Sequence, residues 1–134
     1  MSINRATGDV NGVEIGIANW VEGSAYIGQL GIVNYVGKRF VGLQYGMVNI
    51  TGGDLTGLQW GLVNWTEGFM HGMQAGLLNV SKGKSVGIDL GVVNYNDGSF
   101  NGLQAGFVNY SKEMKGLQLG LVNYAETADS GVQI

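Results

Sequence analysis

The chain has 134 residues, 45% of them hydrophobic, with 25 glycines, no proline, no cysteine and a net charge of −3. This length fits one domain with a continuous core, and the hydrophobic content argues against disorder. Without cysteine there are no disulfides, thiol nucleophiles or thiolate metal sites, and the mixed, nearly neutral charge leaves no footprint for nucleic acid or an anionic membrane surface.

The opening MSINRATGDV has no basic segment followed by an apolar one, so no secretory signal is visible. No run of eighteen apolar residues follows, which excludes a transmembrane helix and leaves a strand-built barrel open. From Gly12 onward the chain is a fifteen-residue repeat, with units starting at 12, 27, 42, 57, 72, 87, 102, 116 and 131. The unit at 102 is one residue short, and the phase runs backward through Asn4, Gly8, Val10 and Asn11. Residues 1–134 are therefore expected to form a single repeat domain. The terminal GVQI and the initial MSIN are two halves of one unit, so head-to-tail stacking of molecules, or closure into a ring, is expected.

Within a unit such as GLQWGLVNWTEGFMH from Gly57, positions 1 to 6 alternate in kind, which predicts a strand. Positions 2, 4 and 6 (Leu58, Trp60, Leu62) are read as the core face, and the glycine, glutamine, glycine of positions 1, 3 and 5 as a flat outer face. Position 8 is Asn in all nine instances. Position 9 is mostly aromatic, at Trp20, Tyr35, Trp65, Tyr95, Tyr110 and Tyr124. Segments such as VEG, TEG, SKG and NDG then carry turn chemistry. Of the charged residues only Glu14 and Asp89 fall at positions 1 to 8, both replacing the Gln of position 3. They are read as solvent-facing substitutions, about 24 Å apart if coils stack, too far for an acid/base pair.

Two all-β architectures accept such a unit: a parallel β-solenoid of about nine coils, and an antiparallel meander closed into a barrel. The columns favour the solenoid. A hairpin would oppose position 8 to position 15, which has no matched chemistry. Stacked coils instead let Asn19, Asn34, Asn49, Asn64, Asn79, Asn94, Asn109 and Asn123 form a structural amide ladder.

The tandem GLQxGLVN motif, plainest at Gly57–Asn64 and Gly116–Asn123, resembles a family of bacterial surface-repeat proteins. The resemblance covers essentially the whole chain. It implies a bacterial surface or envelope setting and supplies no catalytic residues.

Converging chemistry is missing. His71 reads as an exposed loop residue, the glycines lack the Gly-Lys-Ser/Thr of a phosphate loop, and no hydroxyl has a base. No catalytic residue, cofactor site or metal site is expected, and threonine columns suited to an ice lattice are absent. The expected function is a non-enzymatic structural repeat protein that self-assembles, or binds a glycan or envelope component, through flat faces and open ends. Gln44, Gln59, Gln74, Gln104 and Gln118 with the position-9 aromatics form the expected interaction face, pairing amide groups with rings. The alternative is an outer-membrane-type β-barrel, whole or fragmentary, with the even face toward lipid.

Overall fold

Equivalent repeat positions lie side by side in the computed structural model, which describes residues 2–127 and 132–134. Met1 and Gly131, the expected start of the last unit, lie outside the described residues. Asn4 pairs with Asn19, Gln44 with Gln59 and Gly72 with Gly87, all in parallel register. The chain is an all-β parallel solenoid of about eight turns and not a barrel. No helix occurs among the described residues.

Each coil contributes two strands. One spans positions 14 to 4, as in Phe40–Tyr45 and Leu55–Trp60, and the other positions 7 to 10, as in Val48–Thr51 and Val63–Thr66. A tight corner at positions 5 and 6 joins them on one side, and a broader turn at positions 11 to 13 on the other. Further along, strand geometry runs through these bends in Met70–Ser81 and Ser85–Ala105. The missing residue of the short unit is absorbed in the broad turn. Pairing between Ser85–Ala105 and Val108–Met114 shifts after Asn96, and Phe100 then faces Met114 again.

Glycine is required at two positions, one inside the longer strand and one at the tight corner. At position 1, Gly42, Gly57, Gly72, Gly87 and Gly102 take φ between 133° and 148°, which a Cβ resists. At position 5, a Cβ on Gly61 would overlap the Gly46 carbonyl oxygen and stand 2.8 Å from Asn49 Nδ2. Position 1 has one exception among the described coils: Ile27, a β-branched residue, is held at φ 95°. Such strain costs about 1–3 kcal/mol. Ile27 is exposed and surrenders little burial on truncation. Ile27→Gly is therefore expected to stabilise the fold by about 1 kcal/mol, after the roughly 0.5–1 kcal/mol entropic cost of glycine. A higher urea midpoint at unchanged slope is the readout.

The strands face the opposite way from the sequence expectation. Positions 3, 8, 10 and 14 point inward, and positions 2, 4 and 6 point out. Leu62, Leu77 and Trp60 are 44%, 55% and 54% exposed, while Gln59, Asn64, Thr66 and Met70 are fully buried. The apolar core is a file of position-14 side chains (Phe40, Leu55, Met70, Phe100, Met114) with Val21 and Val36 beside it. A fifteen-residue coil folded into two short strands leaves a thin interior. Amides placed there reach partners one coil away and so are buried at little net cost. The long apolar columns remain outside.

Candidate interaction surface

The inward side chains explain why the columns are so uniform. Each position-8 Asn from Asn4 to Asn109 donates twice from Nδ2, once to the next Asn and once to the backbone of the next coil. Asn49 donates to Asn64 Oδ1 and to the Trp60 carbonyl, both at 2.9 Å, and Asn64 donates to Asn79 Oδ1 and the Ala75 carbonyl, both at 2.8 Å. The row is continuous from Asn4 through Asn19, Asn34, Asn49, Asn64, Asn79, Asn94 and Asn109 to Asn123. The glycine of position 5 gives each Asn room to reach that backbone.

A second ladder runs the other way. Gln44 donates to Gln29, Gln59 to Gln44, Gln74 to Gln59 and Gln118 to Gln104, at 2.7–2.9 Å. Gln29 donates to Glu14 Oε1 at 2.9 Å. Hydroxyls of Thr51, Thr66 and Ser81 bond the same column from position 10. Gln44, Gln59, Gln74, Gln104 and Gln118 are thus fully buried and do not form an exposed interaction face, because their amides are satisfied only inside the stack. Asp89 also points inward and not to solvent, whereas Glu14, near the end of the stack, is half-buried and bonded to Gln29. Five coils still separate the two acids, so they make no carboxylate pair.

Asp89 breaks the glutamine ladder. Its side chain is one methylene shorter than Gln, it is fully buried, and neither carboxylate oxygen completes a hydrogen bond. Burial pushes its pKa up to about 7, an effect the Gln104 amide offsets only in part. The surrounding coil is unusually polar. Ser85 stands where the neighbouring coils place Leu55, Met70 and Phe100, and Asn96 donates to Ser85 Oγ at 2.8 Å.

Outside, each coil is graded from apolar to charged. Positions 2, 4, 6 and 7 are apolar, as in Leu43, Tyr45, Met47 and Val48, and the two charged residues of that stretch are Glu14 and Asp89 of position 3. Position 9 carries the aromatic column on the outer surface. Trp20 stacks on Tyr35 at 4.0 Å, Tyr95 on Tyr110 at 4.8 Å and Tyr110 on Tyr124 at 5.5 Å. Their polar tips turn away from the corner. Trp65 Nε1 donates to Glu67 at 2.7 Å, and the Tyr110 hydroxyl donates to Glu126 at 3.0 Å, which pushes that phenol up to about 12. Lys82 Nζ lies 5.3 Å over the Trp65 ring and 5.7 Å over Tyr95. The rings therefore stand between an apolar corner and a charged edge at positions 11 to 13, with no glutamine beside them.

The corner carries an open groove of about 490 Å³, floored by glycines such as Gly46 and Gly61 and walled by Tyr45 and Trp60 against Met47 and Leu62. His71 is exposed beside Phe69. Among the described residues, no three His, Asp or Glu side chains gather as a metal site would require. The polar interior could have been inferred from the columns themselves. Position 4 ranges from Ala75 to Trp60, a spread in volume that a close-packed core does not accept, whereas position 8 never varies. Comparisons with protein families, curated proteins and solved structures return no match for this chain.

Proposed function

We propose that the protein is a non-enzymatic structural repeat module that binds and assembles through its lateral apolar surface, in the bacterial surface or envelope setting implied by its GLQxGLVN repeats. One observation carries the reading: the large apolar side chains of positions 2, 4 and 6 point outward coil after coil. A contiguous exposed apolar surface of this kind marks an interaction site. Chemistry on a substrate asks for unlike groups converging on one point, whereas here the exposed columns at positions 2, 4, 6 and 7 repeat apolar residues. A glycan partner is less well supported than the sequence indicated, because the amides meant to accompany the aromatic rings lie inside.

Sedimentation velocity in the absence of any other partner tests the reading. Oligomers are expected to grow with protein concentration and to dissociate in the Met47→Lys/Leu77→Lys double variant, whose substitutions lie on exposed corner positions. Wild-type protein that stays monomeric at every concentration would count against self-assembly.

A further inference from the structure

We infer that the apolar corner is the membrane-facing edge of the rod, and that a zwitterionic lipid surface is the partner it fits, the solenoid lying flat with positions 4 to 7 immersed and positions 11 to 13 in water. This rests on the reading that the lateral surface is the working part of the molecule, and it names the partner.

Three observations favour lipid over a second copy. The first is shape. The apolar columns wrap around the corner onto both outer faces, with positions 2 and 4 on one and positions 7 and 9 on the other. Each apolar strip is about 13 Å wide and about 40 Å long from strand and coil spacings, on the order of 500 Å². That falls short of the roughly 800 Å² per partner in a stable pairwise interface, so copies joined through one strip associate only weakly and at high concentration. A face-to-face pair would also leave the corner and the opposite strip in water. An interface into which the corner dips covers the corner and the adjoining part of both strips together.

The second is backbone satisfaction. A bend entering lipid normally exposes N–H groups at a cost of several kcal/mol each. Here the bend donates to neighbouring coils: Gly46 N–H to the Trp60 carbonyl, Ile32 and Val33 to Ile17, Leu62 and Val63 to Met47, all at 2.8–3.0 Å. With most of its donors paired in this way, the N–H groups of Met47, Phe107 and Leu121 being the exceptions, the bend enters hydrocarbon at reduced cost.

The third is the grading. Position 9 lies about 10 Å from the corner at strand rise, close to the 5–10 Å immersion of interfacial elements. There the chain places Trp and Tyr, whose Nε1 and hydroxyl groups at Trp65 and Tyr110 point to the carboxylates of Glu67 and Glu126 on the charged edge. An apolar ring body below and a wet polar tip above is the arrangement of aromatic side chains at a lipid–water boundary. The net charge of −3 gives no electrostatic help, so binding to phosphatidylcholine should depend little on salt.

The test is flotation of the full chain with palmitoyl-oleoyl phosphatidylcholine vesicles at low and high salt, beside the same vesicles containing one quarter phosphatidylglycerol. Wild-type protein and a Lys38→Glu control on the charged edge are expected to float equally, with no gain from the anionic lipid. The Met47→Lys/Leu77→Lys variant, checked for an unchanged β-sheet circular dichroism spectrum, is expected to lose at least tenfold in partitioning. In single-tryptophan variants, brominated acyl chains should quench Trp60 at position 4 more strongly than Trp65 at position 9. Equal flotation of wild type and the double variant, or stronger quenching of Trp65 than of Trp60, overturns the inference. Oligomers without vesicle binding also overturn it while leaving the proposed function standing. Neither oligomers nor vesicle binding defeats both.

Discussion

Asn64→Ala is expected to destabilise the solenoid by about 3–5 kcal/mol, while Leu62→Ala, two residues earlier, costs about 0.5 kcal/mol. Asn64 accepts from Asn49 and donates to Asn79 and to the Ala75 carbonyl, all inside the stack. Truncation removes three buried hydrogen bonds and leaves the Asn79 oxygen without its donor where water cannot replace it. Leu62 is large and apolar but 44% exposed at the corner, so its loss opens no cavity. A core leucine would cost about 2–5 kcal/mol on the same truncation. Urea unfolding of the two variants thus tests which way the strands face. A larger effect at Leu62 than at Asn64 would mean that the coil is turned the other way round.

The second large effect is at Asp89. Its carboxyl is pushed from 3.8 to about 7 by burial, so the folded state favours the neutral form. The folded pKa lies above the unfolded one. The associated stability is fully present below about pH 4 and is lost as pH rises through about 7. A shift of that size corresponds to about 4 kcal/mol. For this group, the wild-type protein should be markedly more stable at pH 5 than at pH 8. Asp89→Gln restores a side chain long enough to join Gln74 and Gln104 and carries no charge. It is expected to raise stability at pH 8 by about 4 kcal/mol and to flatten the dependence between pH 4 and 8. Denaturant titrations across that range give the slope, and a variant with the wild-type slope would show that another group titrates.

The architecture was legible in the sequence because a solenoid writes its stacking into columns. Nine identical Asn residues at one phase demand a single environment met repeatedly, and only parallel in-register coils supply it. The facing of the strands was harder to read. Strand alternation states which residues share a side but not which side is wet, and hydrophobicity alone assigns Leu58, Trp60 and Leu62 to the interior. What reverses the assignment is satisfaction. Gln and Asn can be buried when each has a twin one coil away, and that condition lies in the repeat rather than in any single strand. The same oversight hid Asp89, which reads as a harmless exchange for glutamine on an outer face and as an orphaned carboxyl on an inner one. The position-9 aromatics were legible as an exposed row, but their part in a graded cross-section depends on the corner and charged edge that flank them.

The two amide ladders donate in opposite directions, asparagine toward later coils and glutamine toward earlier ones. A single row of aligned amides would behave like a helix, whose peptide dipoles add end to end into partial charges at its termini. Paired rows of opposite sense cancel instead, apart from the gap at Asp89. Polarisation along the axis therefore does not accumulate with coil number. Whole fifteen-residue units can be added or removed without an electrostatic penalty that grows with length, so the rod can be lengthened or shortened as a ruler is, one division at a time.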